Sequence, residues 1–462
     1  MREKKPDIVV IGGGLAGCEA AWQLAGRGIR VRLFEMRPVI QTPAHSTGLL
    51  AEVVCSNSFG GEGDSGAAGI LKAELALGRS LVMECAHMSR VPAGGALAVD
   101  RDRFAELVSV RIESHPNIEL VRDEVTVLTE EPTILATGPL TSSAMAKSLG
   151  ELIGERYLSF FDAVAPIVTR ESIDAGKTYI AGRYGRGDDY INCPMNKEEY
   201  LAFYEALMAA ERVIPHAFER GMSFEKDAYF EGCMPIEVMA SRGVDTLRFG
   251  PMKPVGLPDP RTGREPYAVV QLRQDNREGT LYNLVGFQTG LRWGEQASLL
   301  QKIPGLENAE VIRFGVMHRN IYVNAPAVLD KYLRLKARQK QEKISRLFLA
   351  GQITGVEGYM ESTAMGMVAG VNAARFLRSG DQIKDLPLWP RESAIGSLLN
   401  YLQDAVGDAG TAKTFQPMNV NLGIFPSLEQ KVKDKKQRAR EFYARALSAS
   451  TAFWNDTGQL FF

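Results

Sequence analysis

Four groups of residues in this chain have types and spacings suited to chemistry. Gly12, Gly14 and Gly17 stand at G-x-G-x-x-G spacing in GGGLAG, with Gly13, Leu15 and Ala16 between them, and Glu35 closes the next apolar run. In a strand–turn–helix setting the first glycine permits a tight turn and the second lets a pyrophosphate approach bare backbone. The third lets the helix pack closely on the sheet. The phosphates then meet free N–H groups at the positive end of a helix, and the acid accepts ribose hydroxyls. An ordinary surface turn could use the same glycines, but here strand, spacing, helix and terminal acid occur together. The motif alone does not separate NAD from FAD. The second group is Cys55, in a stretch rich in Gly, Ser and Asn (VVCSNSFGG), where a functional and a structural thiol are both open on local grounds. The third is Cys233, at a Gly-Cys-Met-Pro break. The fourth is basic: Lys336, Arg338 and Lys340 lie in KYLRLKARQKQEKISR, with seven Lys or Arg against one acid, and Lys435 and Lys436 lie in KVKDKKQRAREFYARAL. On composition alone such runs are solvated faces; a polyanion site is the alternative.

The elements that must position these residues can be read in order. Ile8 to Ile11 is an apolar run suited to a parallel strand buried on both faces, an alanine-rich helix follows to Gly26, and Ile29 to Phe34 supply a second strand. A long loop carrying Cys55 comes next; loops leaving the carboxyl ends of such strands are usually functional. Asp100 is placed as N-cap of an amphipathic helix, and Ile118 to Val121, Val125 to Leu128 and TILATGPL from Thr133 read as strands. From about residue 151 the pattern changes to β-like runs around one helix, EEYLAFYEALMAAERV, followed by FEGCMPIEVMASRG, TLRFGPMKPVGL, YAVVQLRQDN and LYNLVGFQTGLRWGEQ, read as β-like runs with Gly and Pro breaks. RLFLAGQITGVEGYMES then returns to the first pattern: a strand, Gly351, Gln352, Gly355, Glu357 and Gly358, and a small-residue helix after Glu361. A Gly-rich strand-to-helix junction so late suits the flavin half of an FAD site. The expected fold is α/β: an FAD-binding, Rossmann-like, doubly wound domain formed by residues 1–150 and 331–395, an inserted α+β domain at 151–330, and a helical C-terminal segment at 396–462.

Composition sets limits. The 462 residues are 45% hydrophobic, enough for substantial cores, and the net charge of −1 excludes a global basic field, so any polyanion site must be local. No apolar run approaches the roughly 18 residues of a membrane span, and the N-terminus enters the first strand without a signal-peptide pattern, which predicts a cytoplasmic protein. Five cysteines scattered singly predict reduced thiols and no structural metal.

Taken together, GGGLAGCEAAWQLA, EMRPVIQTPAH, VCSNS, VPAGGALAVDRDRF, ATGPLTS, INCPM, FEGCMPIEVMA, FGPMKPVGL, YAVVQLRQDN, GTLYNLVGFQT, MHRNIYVN and AGQITGVEGYMES resemble the folate- and FAD-dependent tRNA (uracil-5-)methyltransferases called TrmFO, over nearly the whole chain. The resemblance implies methylation of a T-loop uridine in tRNA, with methylenetetrahydrofolate as carbon donor, FAD as carrier and NAD(P)H as reductant. It places Cys233 as the nucleophile and Cys55 beside the flavin as acid or base. Similar chains often carry a basic residue shortly after S-N-S-[LF], where this one has Gly60 and Gly61. Two other classes compete: a plain FAD oxidoreductase of a small metabolite, and a flavin-bearing RNA-binding protein without chemistry. The same chemistry on ribosomal RNA is a further alternative.

Overall fold

Ile8–Ile11 forms β1, and all four of its side chains are buried, as an unbroken apolar run in a covered parallel sheet requires. The computed structural model describes residues 6–42, 44–153, 158–163, 165–213, 234–315, 317–336, 346–379, 387–404, 415, 417–430 and 432–457. After β1 come α1 (Leu15–Ala25), β2 (Val31–Phe34), β3 (Ser58–Gly61), α2 (Ala67–Leu77), α3 (Leu81–Met88), β4 (Arg90–Val91), β5 (Ala96–Val99), α4 (Arg101–Glu113), β6 (Ile118–Val121), β7 (Thr133–Leu135) and α5 (Ser143–Ile153). The middle of the chain supplies β8 (Leu158–Ala163), β9 (Ile167–Thr169), β10 (Tyr179–Ile180), β11 (Tyr190–Met195), α6 (Lys197–Ala209), α7 (Ile236–Ala240), α8 (Thr246–Phe249), β12 (Ala268–Gln274), β13 (Leu281–Leu284), α9 (Trp293–Leu300), β14 (Val311–Arg313), β15 (Met317–Tyr322) and α10 (Ala325–Val328). It closes with β16 (Leu347–Leu349), α11 (Tyr359–Ser379), α12 (Ala394–Asp404) and α13 (Lys435–Thr457).

A parallel sheet in the order β16-β7-β1-β2-β6 carries the first pattern. The chain runs outward from β1 through β2 to β6, then crosses to β7 and β16 on the other side. The reversal falls between β1 and β7, and ligands of such sheets sit in the crevice outside the strand ends at that point. Helix α1 packs against α11 with nothing between their backbones: a Cβ at Gly366 would run into Ala16 O, and one at Gly370 would lie 2.8 Å from Ala20 O. A six-stranded antiparallel sheet, β10-β11-β12-β13-β9-β14, builds a second core with Tyr200 and Phe203 of α6. β8 and β15 pair antiparallel as a separate two-stranded sheet. The fold is thus α/β, with a Rossmann-like doubly wound body, an inserted α+β part and C-terminal helices on the first core, where Trp389 and Phe453 meet at 4.6 Å.

Asp100 caps α4, its side chain accepting the Arg103 N–H. Several local expectations are corrected. Val125–Leu128 is not a strand: its Leu128 N–H goes to the Ser148 hydroxyl at 3.4 Å, and Val125 lines a cavity. IEVMA and TLRF are short helices, because the Pro235 carbonyl and the Asp245 carbonyl each accept a helical turn's N–H where alternation suggested strands. Helix α11 begins at Tyr359, so Glu361 sits in its first turn rather than before it. The loop after β2 also contains a strand, β3, which pairs with β5.

Candidate functional site

A cavity of about 540 Å³ opens at the crevice between β1 and β7, within the size range of cofactor sites, roughly 300–1,000 Å³. Gly12 after β1, Ala136 to Gly138 after β7 and Gly351 after β16 bring all three strand ends to its wall. Gly12 has φ +104, and a Cβ there would lie 2.5 Å from Ala136 O, so neither another backbone conformation nor a side chain fits. Gly14 is different: a Cβ there would meet nothing within 4 Å, because it faces the cavity. It is also the N-cap of α1, which has no side-chain cap, so the first N–H groups of the helix are presented to whatever occupies that space. Leu15, Ala16 and Glu35 line the same wall; Gly13 and Gly17 act behind it. The Gly13 N–H donates to Glu35 Oε2 at 2.8 Å, and a Cβ at Gly17 would strike Gly12 O.

Glu35 is held by a partner that the sequence pattern did not reveal. Burial favours its neutral form, but Arg37 donates to Oε1 through its side chain at 2.8 Å and its backbone at 3.0 Å, and together with the Gly13 N–H this keeps the carboxyl below its usual range. Arg37, 2% exposed, also reaches Glu52 at 3.2 Å, and Glu52 collects four bonds from Ser46 and Thr47. His45 sits in this shell with its pKa pushed down to about 4, by burial first and then by Arg37, so it is a neutral imidazole at pH 7. An ionised Glu35 with lone pairs to spare suits a ribose diol.

The turn after β16, where Gly351 abuts Ala16, contributes Gly351, Gln352, Glu357 and Gly358 to the same cavity, with the Gln352 amide donating to Glu357 at 2.5 Å; Gly355 lies off the wall, towards Phe415. Tyr359 and Glu361, from the first turn of α11, complete this end. Burial raises the pKa of both. The Tyr359 hydroxyl accepts the N–H groups of Cys55 at 2.8 Å and Ser56 at 3.2 Å, which fixes the Cys55 segment against the cavity. Cys55 is half-buried, reduced and on the wall. Cys18, Cys85 and Cys193 are buried in cores, with thiols pushed up by desolvation, to about 12 at Cys85. They are inert packing.

The other side of the Cys55 segment is clamped to the second sheet. Arg273 donates to Asn57 Oδ1 at 3.0 Å and to the Ser56 hydroxyl at 2.7 Å, Asn283 donates to Asn57 and Asp275, and Arg101 pairs with Asp275 at 2.9 Å. Beside Gly60 and Gly61 the Lys72 ammonium donates to Gly61 O at 2.8 Å; burial brings its pKa down to about 8. Cys233, Arg338 and Lys340 lie outside the described residues. The segment that contains Cys233 resumes at Met234, and the Ile236 N–H is bonded to the O of Gln288, a residue of the cavity wall. Lys435 and Lys436 are exposed in the first turn of α13, far from this wall in sequence; Lys336 is exposed too, although its ammonium donates to Pro326 O at 2.6 Å. Among the described residues no cluster of three metal-binding side chains occurs, and no helix is long and apolar enough to cross a membrane.

A family model described as glucose inhibited division protein A matches residues 7–381. A protein of Moorella thermoacetica named methylenetetrahydrofolate--tRNA-(uracil-5-)-methyltransferase TrmFO is 56% identical over 454 residues, 98% of each chain. The chain belongs to the TrmFO family. Two further members carry the same name: one from Listeria monocytogenes is 53% identical over 96% of this chain and 97% of its own, and one from Anoxybacillus flavithermus 54% identical over 97% and 99%. The crystal structure of Aquifex aeolicus GidA superposes with a TM-score of 0.67 over 100% of this chain and 76% of that one; at 17% identity it shows the shared fold.

Proposed function

We propose that this chain is a cytoplasmic enzyme that methylates carbon 5 of a T-loop uridine in tRNA, taking the carbon from methylenetetrahydrofolate, with FAD as carrier and NAD(P)H as reductant. The observation that carries the reading is a reduced Cys55 on the wall of the cavity that the glycine turn and Glu35 line, in a chain more than half identical, over almost its whole length, to relatives named for that reaction. The residues fit FAD: the uncapped N-terminus of α1 takes the pyrophosphate, Glu35 the ribose and the Gly351–Gly358 turn the flavin half. When bound, FAD carries the one-carbon unit and the reducing equivalents. A methylene is two electrons more oxidised than a methyl group, so the transfer consumes one hydride, the part assigned to NAD(P)H.

The chain's own work is on the uracil. Carbon 5 becomes nucleophilic only after a thiolate adds to carbon 6, and we assign that addition to Cys233. The new S–C6 bond leaves an enolate whose carbon 5 forms the C–C bond. A second group then removes the carbon 5 proton as the donated carbon parts from its carrier, the methylene left on carbon 5 takes up the hydride, and the thiolate leaves carbon 6. Cys55 takes this acid–base role, held in place by Tyr359. RNA is gripped by local positive charge, with Lys336, Arg338, Lys340, Lys435 and Lys436 as candidates.

The test joins turnover to trapping. Purified protein given labelled methylenetetrahydrofolate and NADPH should label tRNA and not ribosomal RNA. Fluorine at carbon 5 cannot leave as a proton, so tRNA containing 5-fluorouracil should remain bound through sulfur in a denatured complex analysed by mass. Cys233→Ala should lose that adduct and keep its flavin, whereas Cys55→Ala should lose turnover. An adduct that persists in Cys233→Ala and vanishes in Cys55→Ala would reverse the two roles, and label in ribosomal RNA alone would replace the substrate.

A further inference from the structure

Trp293, the first residue of α9, is 62% exposed, and its ring lies on that of Phe314 with centroids 5.6 Å apart and planes 13° from parallel. The other three tryptophans are buried or half-buried. A single exposed aromatic ring needs no explanation. A stacked pair built into two different elements, and held rigid, does. Gln296, itself buried, donates to the carbonyls of Leu291 at 2.7 Å and Gly315 at 2.9 Å and accepts the Gly315 N–H at 2.7 Å, which pins the chain just after Phe314 to the helix that carries Trp293. The flat face is therefore preorganised and costs little further ordering when something stacks on it.

Its place and its charges say what that is. Each ring directly follows an arginine. Arg292 makes a 2.7 Å ion pair with Glu211 in which both side chains are about two-thirds exposed, 66% and 64%; such pairs are worth little and are readily exchanged for a phosphate. Arg313 donates to Ala44 O at 3.0 Å, in the loop whose next residue, His45, lines the cavity. Five residues before Trp293, Gln288 lines the cavity as well, and the Gln288–Leu291 stretch holds both Ile236 and Val213 by backbone hydrogen bonds. The aromatic face is thus joined through a short stretch of chain to the cavity wall at Gln288 and, through Arg313, to the loop before His45. A rigid, exposed aromatic face with a loosely held arginine, Arg292, next to it in the chain is the chemistry that stacks an unpaired base and holds its phosphate.

We propose that the Trp293–Phe314 pair is a stacking platform for an unpaired base of the RNA substrate, holding a nucleotide beside the target uridine while the uridine itself enters the cavity. This rests on the RNA reading above. A base taken out of its stack is separated from its neighbours, and a rigid aromatic face replaces them.

The experiment uses the flavin-loaded full chain and tRNA lacking the modification. Wild-type tryptophan emission should fall when tRNA is added, and the fall should be absent in Trp293→Phe, which keeps a ring and should bind within a few-fold of wild type. Trp293→Ala should bind tRNA about five- to a hundredfold more weakly, as expected for one base–aromatic stack. Because no cationic group is removed, the slope of log affinity against log salt should stay as in wild type. Flavin content and reduction by NADPH should be unchanged in both variants. Unaltered tRNA affinity in Trp293→Ala overturns the platform, and so does self-association of the wild type that Trp293→Ala abolishes, which would make the patch a protein interface. Failure of the RNA reading itself looks different: wild type would then neither bind nor label tRNA.

Discussion

A branched side chain at position 14 would project into the one part of the glycine turn where the structure leaves open space. Gly14→Val should therefore be tolerated by the fold, since the added atoms meet no protein neighbour within 4 Å, yet should exclude the pyrophosphate that the turn is shaped for. The expected result is a colourless, folded protein with an ordinary unfolding transition; a full visible flavin band in this variant would refute the pyrophosphate position. The same alteration at Gly12 would mix two effects, because a Cβ there strikes Ala136 O and the backbone is left-handed. At this scale the sequence spoke clearly wherever a residue's job is done by its own backbone. Gly12 and Gly14 could be read from spacing and Gly351 and Gly358 from the Gly-rich junction, and these four line one cavity, whereas Gly355 of the same junction does not. It was silent on Arg37, His45 and Tyr359, whose side chains act through partners brought in from elsewhere. Nothing local to Tyr359 says that its hydroxyl takes the Cys55 N–H 304 positions away in the chain.

Among the elements, those marked by a cap or a buried apolar pattern were legible and the shortest helices were not. The helix after Asp100 and the strand at Ile118–Val121 follow from capping and burial patterns in a few residues, whereas IEVMA and TLRF are too short for periodicity to separate helix from strand. The C-terminal helices depend on a device that pattern cannot reveal. Glu74, fully buried in α2, accepts the Ala394 N–H at 2.8 Å and the Ile395 N–H at 3.0 Å, so it caps α12 from another element. Burial pushes its pKa from 4.5 up to about 8. The folded state then binds a proton that the unfolded chain releases near pH 4.5. The resulting stability is fully present below that pH and is lost as pH rises towards about 8. Glu19, pushed up to about 7 by burial, acts in the same direction. Glu74→Gln removes the titration but also one of the two acceptors, costing about 0.5–1.5 kcal/mol. In urea unfolding at about pH 6 the variant should be the less stable protein, and by about pH 9 the gap should have narrowed or closed. A gap that is constant across this range would mean that Glu74 does not titrate there.

For the molecule as a whole, the two cores are joined through the Cys55 segment, because Asn57 is bonded at once to Val99 O at the edge of the first core and to Arg273 and Gln274 O in the second sheet. That junction was invisible in the sequence, since its members lie more than 200 positions apart. The electrostatics were visible only in outline. A net charge of −1 leaves no global attraction for RNA, so binding must draw on local groups. Part of the first basic run is already committed: Arg334 is buried and paired with Asp330 at 3.1 Å. Lys435 and Lys436 are less easily explained by stability. They occupy the first turn of α13, where the helix dipole disfavours cations by roughly 0.3–1 kcal/mol each, and both are exposed. A placement that costs the helix something fits a surface kept positive for a polyanion. Reversing Lys435 and Lys436 to Glu should leave the helix at least as stable, because acids suit its first turn, while tRNA binding weakens and its salt slope becomes shallower by about 0.7–0.9 for each phosphate that is no longer neutralised. Reversing Lys336, Arg338 and Lys340 should act in the same way, whereas Trp293→Ala should weaken binding with the slope intact. Should the Lys435 and Lys436 reversal leave both affinity and slope untouched, α13 is a solvated helix and the phosphate grip must be sought on the other basic run.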